Sequence, residues 1–428
     1  MKKSFKHKLI TVGSIFFAIM LTSCTSSCAS VTQTTNADEQ TGEQQTEQEP
    51  VQEEEETQVE ETTQTDTQKT DDGIFETAQS ALANINVGWN LGNALDSYGD
   101  WIAAAAGGNI TGWETAWGNP VITKDLIKAV KNAGFGAIRV PVTWRDHLDS
   151  DWTVDSKWLA HVKKVIDWVL AEDLYCIVNV HHDNGGDNKA WLLADRAQYE
   201  GGMSEKYAKL WRQIANQFKN YDEKLLFAGL NETLDASHNW NGSTQASYDV
   251  INDLNQLFVN AVRATGGNNA YRNLIVQTYG ASSAASQVGG FKAPEDSAVN
   301  HLMAEVHIYD PGRFCNGTDV TWDKADEKTL DTIFERLNTK IISSTTGQGL
   351  PLMVGEFGSH DKSTDEEAAA ALEIERSKYA AYFVKKAASY GISCFWWDDG
   401  GEMSLFNRSK ATVTQQAIID SLLTGLTR

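Results

Sequence analysis

Past Gly73 the chain alternates between short apolar runs and longer segments whose apolar residues recur at three- and four-residue steps. The runs are INVGWNLG (85–92), AIRVPV (137–142), CIVNVHH (176–182), LLFAGLNE (225–232), LIVQTY (274–279), LMAEVHIY (302–309), PLMVGEFG (351–358) and CFWWDD (394–399). Between them lie segments of helical period such as LIKAVKNAGF, KWLAHVKKVIDWVLAED, YAKLWRQIANQFKNY and YDVINDLNQLFVNAVRATG. Nearly continuous apolar strands separated by amphipathic helices predict parallel strands buried on both faces. Eight such units predict an α/β fold of the closed (β/α)8 type. A doubly wound sheet is the competing arrangement, but no Gly-rich phosphate loop follows the first run. The crossover GASSAASQVGGFKAPEDSAVN (280–300) has poor helical periodicity and is the weakest unit.

The first 73 residues have a different texture. Lys2, Lys3, Lys6 and Lys8 precede the 13-residue apolar stretch LITVGSIFFAIML, an export-signal arrangement too short to span a membrane. LTSC, Leu21 to Cys24, resembles a bacterial lipoprotein signal, which implies a lipidated Cys24 and membrane attachment; cleavage at the nearby CAS is the alternative. From Ser30 to Asp72 the chain is mostly Thr, Gln and Glu, and between Asp38 and Asp72 it sets 14 acidic residues against Lys69 alone. Such a segment buries too little surface to offset its ordering entropy and is expected to be a disordered, self-repelling tether. The predicted organisation is therefore an export segment (1–29), a linker (30–73) and a barrel domain (74–428), displayed outside a bacterial cell as a secreted or surface-anchored protein.

A formal net charge of −22 makes nucleic acid an unsuitable partner. The five cysteines are spaced for neither a disulfide framework nor a zinc site, and no cofactor is called for. A monomer is expected.

In a (β/α)8 barrel the site forms at the carboxyl ends of the strands. The runs end on Asn90 and Asn93, Arg139, His181 and His182, Asn231 and Glu232, His307 and Tyr309, Glu356, and Trp396 and Trp397. Singly, each has a bland reading: Arg139 pairs with a core carboxylate, His307 is a satisfied buried histidine, the tryptophans pack. Together, seven of eight run ends carrying such groups point to one cleft. Two carboxylates on different strands, without a Ser–His pair, suit cleavage of a glycosidic bond, one as acid/base and the other as nucleophile about 5–5.5 Å away if configuration is retained. Asn231 is placed to bond a sugar hydroxyl. Arg139 and Tyr309 are expected to hold Glu356 ionised by lowering its pKa, whereas Glu232 must enter the reaction protonated. Flat Trp faces stack on sugar rings.

The motifs GWNLGNALDSYG, WETAWGNP, IRVPVTW, VNVHHDN, LNE, VHIYDP, VGEFGS and FWWDDG occur in an order that resembles glycoside hydrolase family 5, in its branch of bacterial endo-β-1,4-glucanases and xyloglucanases. The resemblance spans about Ala81 to Gly401. It implies a retaining endoglucanase acting on β-glucan, with Glu232 as acid/base, Glu356 as nucleophile, and Arg139, His181, Asn231, His307 and Tyr309 around them. Asn90 and His182 join them as candidates for substrate contact. Trp396 and Trp397 are both candidates for the stacking platform. Two positions depart from the family pattern: Thr233 follows Glu232 where Pro is common, and Ala228 stands where relatives often carry Glu. Xyloglucan, mannan and xylan are alternative substrates on such a barrel. Two other classes compete: a polysaccharide-binding protein on an inactive barrel, disfavoured because both carboxylates are retained, and a metallohydrolase using His181, His182, His307 and His360 with Asp183. Trp101, Trp113, Trp117, Trp144, Trp191 and Trp240 are expected to shape the subsites.

Overall fold

The computed structural model describes residues 75–426 apart from Gly186 and Asn188. The export segment, Cys24 and the acidic linker lie outside the described residues. All eight apolar runs are strands: β1 Val87–Leu91, β2 Ala137–Val140, β3 Tyr175–Asn179, β4 Leu225–Ala228, β5 Leu274–Ser282, β6 Leu302–His307, β7 Leu352–Phe357 and β8 Ser393–Asp398. They pair in chain order, all parallel, and β8 closes on β1. The helices between them begin at short polar caps that satisfy otherwise unpaired backbone N–H groups. Thr123 caps Lys124–Asn132, Asp155 caps Ser156–Ala171, Thr244 caps Gln245–Arg263 and Asp365 caps Glu366–Ala388. The crossover 280–300 contains only the short helix Ala285–Gly290, as its weak periodicity predicts.

Side chains alternate between the two faces of a strand, so the barrel interior is filled at two-residue steps. Ala137, Ile177, Leu226, Ala228, Ile275, Met303, Met353 and Phe395 form an apolar interior. The helix Ala78–Ile85 seals its amino-terminal end with four fully buried apolar residues, Ala78, Ala81, Leu82 and Ile85. Two residues further along the same faces the chemistry changes: Ala137 gives way to Arg139, Ile275 to Gln277 and Met303 to Glu305. The apolar floor therefore ends in a polar layer, and the site rests on that layer.

Two irregularities aim the catalytic candidates. On β7, Met353 and Val354 pair with Glu305 and Val306, but the next partner of His307 is Glu356, with Gly355 left over. That extra residue is a bulge, which shifts the face-to-face parity and turns Glu356 inward beside His307. On β4 the strand ends at Ala228, four residues before Glu232, so only the first half of the run LLFAGLNE is strand and the carboxylate sits on the turn that follows. The Gly229 carbonyl is drawn away by Tyr207 Oη at 2.7 Å and Trp211 Nε1 at 3.2 Å. Glu232 then adopts φ +48°, a left-handed conformation that costs a non-glycine residue on the order of 1–3 kcal/mol and concentrates at functional sites.

Candidate active site

Glu232, His307 and Glu356 each offer an oxygen or nitrogen within 4.8 Å of the other two. His307 Nδ1 lies 2.8 Å from Glu232 Oε1 and 3.6 Å from Glu356 Oε2. Arg139 Nη1 donates to Glu356 Oε1 at 2.9 Å and to Asn90 Oδ1 at 3.0 Å, while Nη2 donates to Asn231 Oδ1 at 2.7 Å. Tyr309 Oη donates to Glu356 Oε2 at 3.0 Å. Glu356 is thus gripped on both oxygens by groups from β2 and from the end of β6. The planar guanidinium fork spans three partners, which a lysine ammonium at the same place cannot do.

Electrostatics follow from this crowding. Burial raises the Glu356 carboxyl above its usual range, while His307 and Arg139 pull it back and Glu232 adds to the rise. The expected lowering by Arg139 and Tyr309 is corrected: the contacts are present, but the loss of water outweighs them. Burial works against the charged His307 ring, yet Glu356, Glu232 and Glu305 together push it up to about 10. Tyr309 is pushed well above the usual phenol value by burial and by Glu356, so its hydroxyl stays a donor. His181 is buried and held well below the ordinary imidazole value. Burial likewise brings His182 down to about 4.

The other candidates divide by position. Asn90 and Arg139 are wholly buried beneath the cleft, and Asn90 Nδ2 donates to the Gly355 carbonyl at 2.9 Å. They support the carboxylates from behind. Asn231 Nδ2 is 3.5 Å from His181 Nε2, and the His181 ring lies parallel to Trp397 with centroids 5.9 Å apart. His182 packs against Tyr98 and Trp117. The structure chooses between the paired tryptophans. Trp397 is partly exposed at the mouth, whereas Trp396 is fully buried on the opposite face with its Nε1 donating to the Met403 carbonyl at 2.9 Å. Trp396 is therefore removed from the site, because adjacent strand residues face opposite ways.

Among the loop tryptophans, Trp101 and Trp240 are more than half exposed. Trp113 and Trp144 are buried and are corrected to packing residues: Trp113 lies against His147, and Trp144 Nε1 donates to the Asn179 carbonyl. The four-histidine metal set is not assembled. Among the described residues His360 pairs with Glu402 at 2.8 Å, and Asp183 accepts from Trp144 N and Trp191 Nε1. Beside Glu232, the Thr233 carbonyl accepts from Gly280 N at 3.0 Å, so a bond to β5 steadies the turn where relatives commonly have proline.

Two residues of the polar layer escaped the sequence reading. Glu305 is fully buried, with Oε1 3.1 Å from Arg139 Nε and 3.3 Å from His307 Nε2. Gln277 Nε2 donates to Glu305 Oε2 at 2.7 Å, and Gln277 Oε1 accepts from the Glu232 main-chain N–H at 3.2 Å. The available signal was a charged residue inside an apolar run, two positions before His307 and so on its face.

Comparison with known proteins agrees with this geometry. Residues 95–402 match the model of the family described as cellulase (glycosyl hydrolase family 5). Endoglucanase A of Clostridium longisporum is 35% identical over 363 residues, covering 82% of this chain and 66% of that protein. The chain thus spans about two thirds of that relative's length. Among solved structures, PbGH5A of Prevotella bryantii in complex with a xyloglucan tetradecasaccharide superposes with a TM-score of 0.75 at 36% identity, covering 82% of this chain and 99% of that one. A broad specificity endoglucanase from Ruminococcus champanellensis with bound cellotriose gives a TM-score of 0.73 at 34% identity, over 83% and 99% of the two chains. With the matched region enclosing both carboxylates and most of the barrel, the chain belongs to glycosyl hydrolase family 5, the cellulase family.

Proposed function

We propose that this endo-β-1,4-glucanase cleaves β-glucan chains by a double displacement in which Glu356 is the nucleophile and Glu232 the acid/base. The observation that carries the reading is the convergence of the two carboxylates within 4.8 Å, with His307 against both. Carboxylate oxygens that approach so closely suit direct attack by one of them, whereas the carboxyl groups of an inverting pair stand roughly 6.5–9.5 Å apart to admit a water. Glu356 attacks the anomeric carbon while Glu232 gives its proton to the departing glycosidic oxygen. Glu232 then takes a proton from water, which releases the sugar from Glu356 with its original configuration. Asn231 bonds the 2-hydroxyl, and Trp397 provides a flat apolar face for the sugar ring bound next to the scissile bond. Xyloglucan and unbranched β-1,4-glucan are the proposed substrates, in keeping with the oligosaccharides bound to the two structural neighbours. The barrel domain (74–428) acts outside the cell, delivered by the export segment and held off the surface by the acidic linker through a lipidated Cys24.

Truncation of each carboxylate separates their roles. Glu232→Ala is expected to hydrolyse polysaccharide slowly, by about 10²–10⁴-fold for loss of general acid catalysis. It should still form the covalent intermediate from an aryl glycoside with a good leaving group, and azide should then intercept it to give a β-glycosyl azide. Glu356→Ala should lose more, with little rescue by leaving group, and azide there should give the α-azide. Identical responses of the two variants, or an initial α-anomer from the wild type by NMR, would overturn the assignment.

A further inference from the structure

Among the described residues, Glu305 is the one anion of the polar layer that reaches both halves of the catalytic apparatus. Its Oε1 stands against Arg139 Nε and His307 Nε2, and its Oε2 accepts from the Gln277 amide. Arg139 leads to Glu356 and Asn231; His307 and Gln277 both lead to Glu232, one at its side chain and the other at its main chain. We propose that Glu305 is a positioning residue for both carboxylates, holding His307 as a doubly protonated ring against Glu232 and fixing the left-handed main chain of Glu232 through Gln277. The inference rests on the roles proposed above for Glu232 and Glu356.

Three features carry it. First, His307 has a carboxylate oxygen facing each ring nitrogen, Glu305 at Nε2 and Glu232 at Nδ1. With both carboxylates ionised, both nitrogens carry hydrogen to satisfy two acceptors, which makes the ring an imidazolium. The charged groups that face it are Glu232 from the β4 loop, Glu305 on its own strand, Glu356 on β7 and Arg139 on β2, with the neutral Tyr309 and His181 nearby. Of the three carboxylates, Glu305 alone is committed neither to proton transfer nor to attack. With Nδ1–H donated to Glu232 Oε1, the proton that Glu232 delivers sits on its other oxygen.

Second, the Gln277 amide is oriented. Its NH2 faces Glu305, so its carbonyl faces the Glu232 N–H, and its main chain is held by Asn255 at 2.8 and 3.2 Å. An uncharged acceptor at position 305 fixes this orientation less firmly. Third, the barrel has cleared space for this carboxylate: a Cβ on Gly355 would lie 1.8 Å from Glu305 Oε1. The glycine that forms the β7 bulge thus turns Glu356 inward and also makes room for the anion beneath it. Burial opposes ionisation of Glu305, but Arg139, His307 and Gln277 hold it below the usual carboxylate range.

The test uses E305Q and Q277M in the intact enzyme, with selectively 15N-labelled histidine and His307→Gln to assign the ring. E305Q should let His307 titrate about 1–3 units lower. On soluble β-glucan kcat should fall roughly 10- to 100-fold from misplacement of the acid. Q277M leaves both ion pairs in place, so it should lower kcat with KM unchanged and move the His307 titration less than E305Q does; it is read even where E305Q does not fold. An unchanged His307 titration in folded E305Q overturns the first arm, and wild-type kcat in Q277M overturns the second. The ring titration is measured without substrate, so it stands apart from the question of which carboxylate attacks.

Discussion

Tyr309→Phe removes one hydroxyl and one contact, the 3.0 Å bond to Glu356 Oε2. The nearest remaining donor to that oxygen is His307 Nδ1 at 3.6 Å, too far for a good hydrogen bond. A hydrogen bond to a charged group is worth about 1.5–3 kcal/mol. The bond favours the ionised form, so its loss raises the Glu356 pKa further, by about 1–2 units at 1.36 kcal/mol per unit. The direction follows from the proposed role: as the nucleophile Glu356 must be ionised to attack, and burial already places it above the ordinary range. The acid limb of the kcat/KM profile should therefore move to higher pH. On the plateau the loss is smaller than the full bond, because Glu356 gives up part of its charge as the covalent bond forms; a fall of about 10-fold is expected, with about 150-fold as the ceiling. The assay is hydrolysis of an aryl cellobioside across the pH range, with thermal unfolding as a control for folding. An acid limb that stays where it is in a folded variant would refute the view that Tyr309 acts by stabilising the charged nucleophile.

The tryptophan pair should part in opposite directions. Trp396→Ala is expected to cost about 3–5 kcal/mol of stability as a large-to-small core change, read by denaturant unfolding. Trp397→Ala should leave stability nearly intact and raise KM about tenfold, since the ~60 Å² of a sugar face at about 25 cal/mol per Å² gives about 1.5 kcal/mol. A chain beginning at Gly73 should fold and match the longer protein on soluble β-glucan. One beginning at Asn86 should be insoluble or unfolded, because it lacks the helix that seals the barrel floor and the Glu76 contacts to Tyr175 and Asn273.

The barrel was legible because its code is coarse. Each strand is an apolar run and each helix a 3.6-residue period, and neither depends on any single neighbour. The run ends were legible for the same reason: seven of the eight runs stop at polar or aromatic groups, and the carboxyl ends of parallel strands in one barrel all face one way. What a run end does not reveal is the side of the sheet it faces. Trp396 and Trp397 differ by one step of the pleat, and the register of β8 on β1, with Phe395 in the barrel interior, decides which of them meets the cleft. Trp113 and Trp144 are ordinary in sequence, and their burial depends on partners such as His147 and the end of β3 that only the fold brings near.

The polar layer was the least legible part, and its logic explains why. Glu305 and Gln277 sit inside runs read as apolar, so a pattern search counts each as an interruption rather than a signal. A charge in such a place is tolerable only if its partners arrive from other strands. Here they come from β2, β5 and from His307 two residues on. Ala228 lies in the apolar interior below this layer, whose buried anion is Glu305 on β6. Catalytic groups announce themselves at strand ends because solvent permits them there. The groups that hold them in register are hidden among residues whose usual task is packing, and become visible only when the barrel closes and their partners meet.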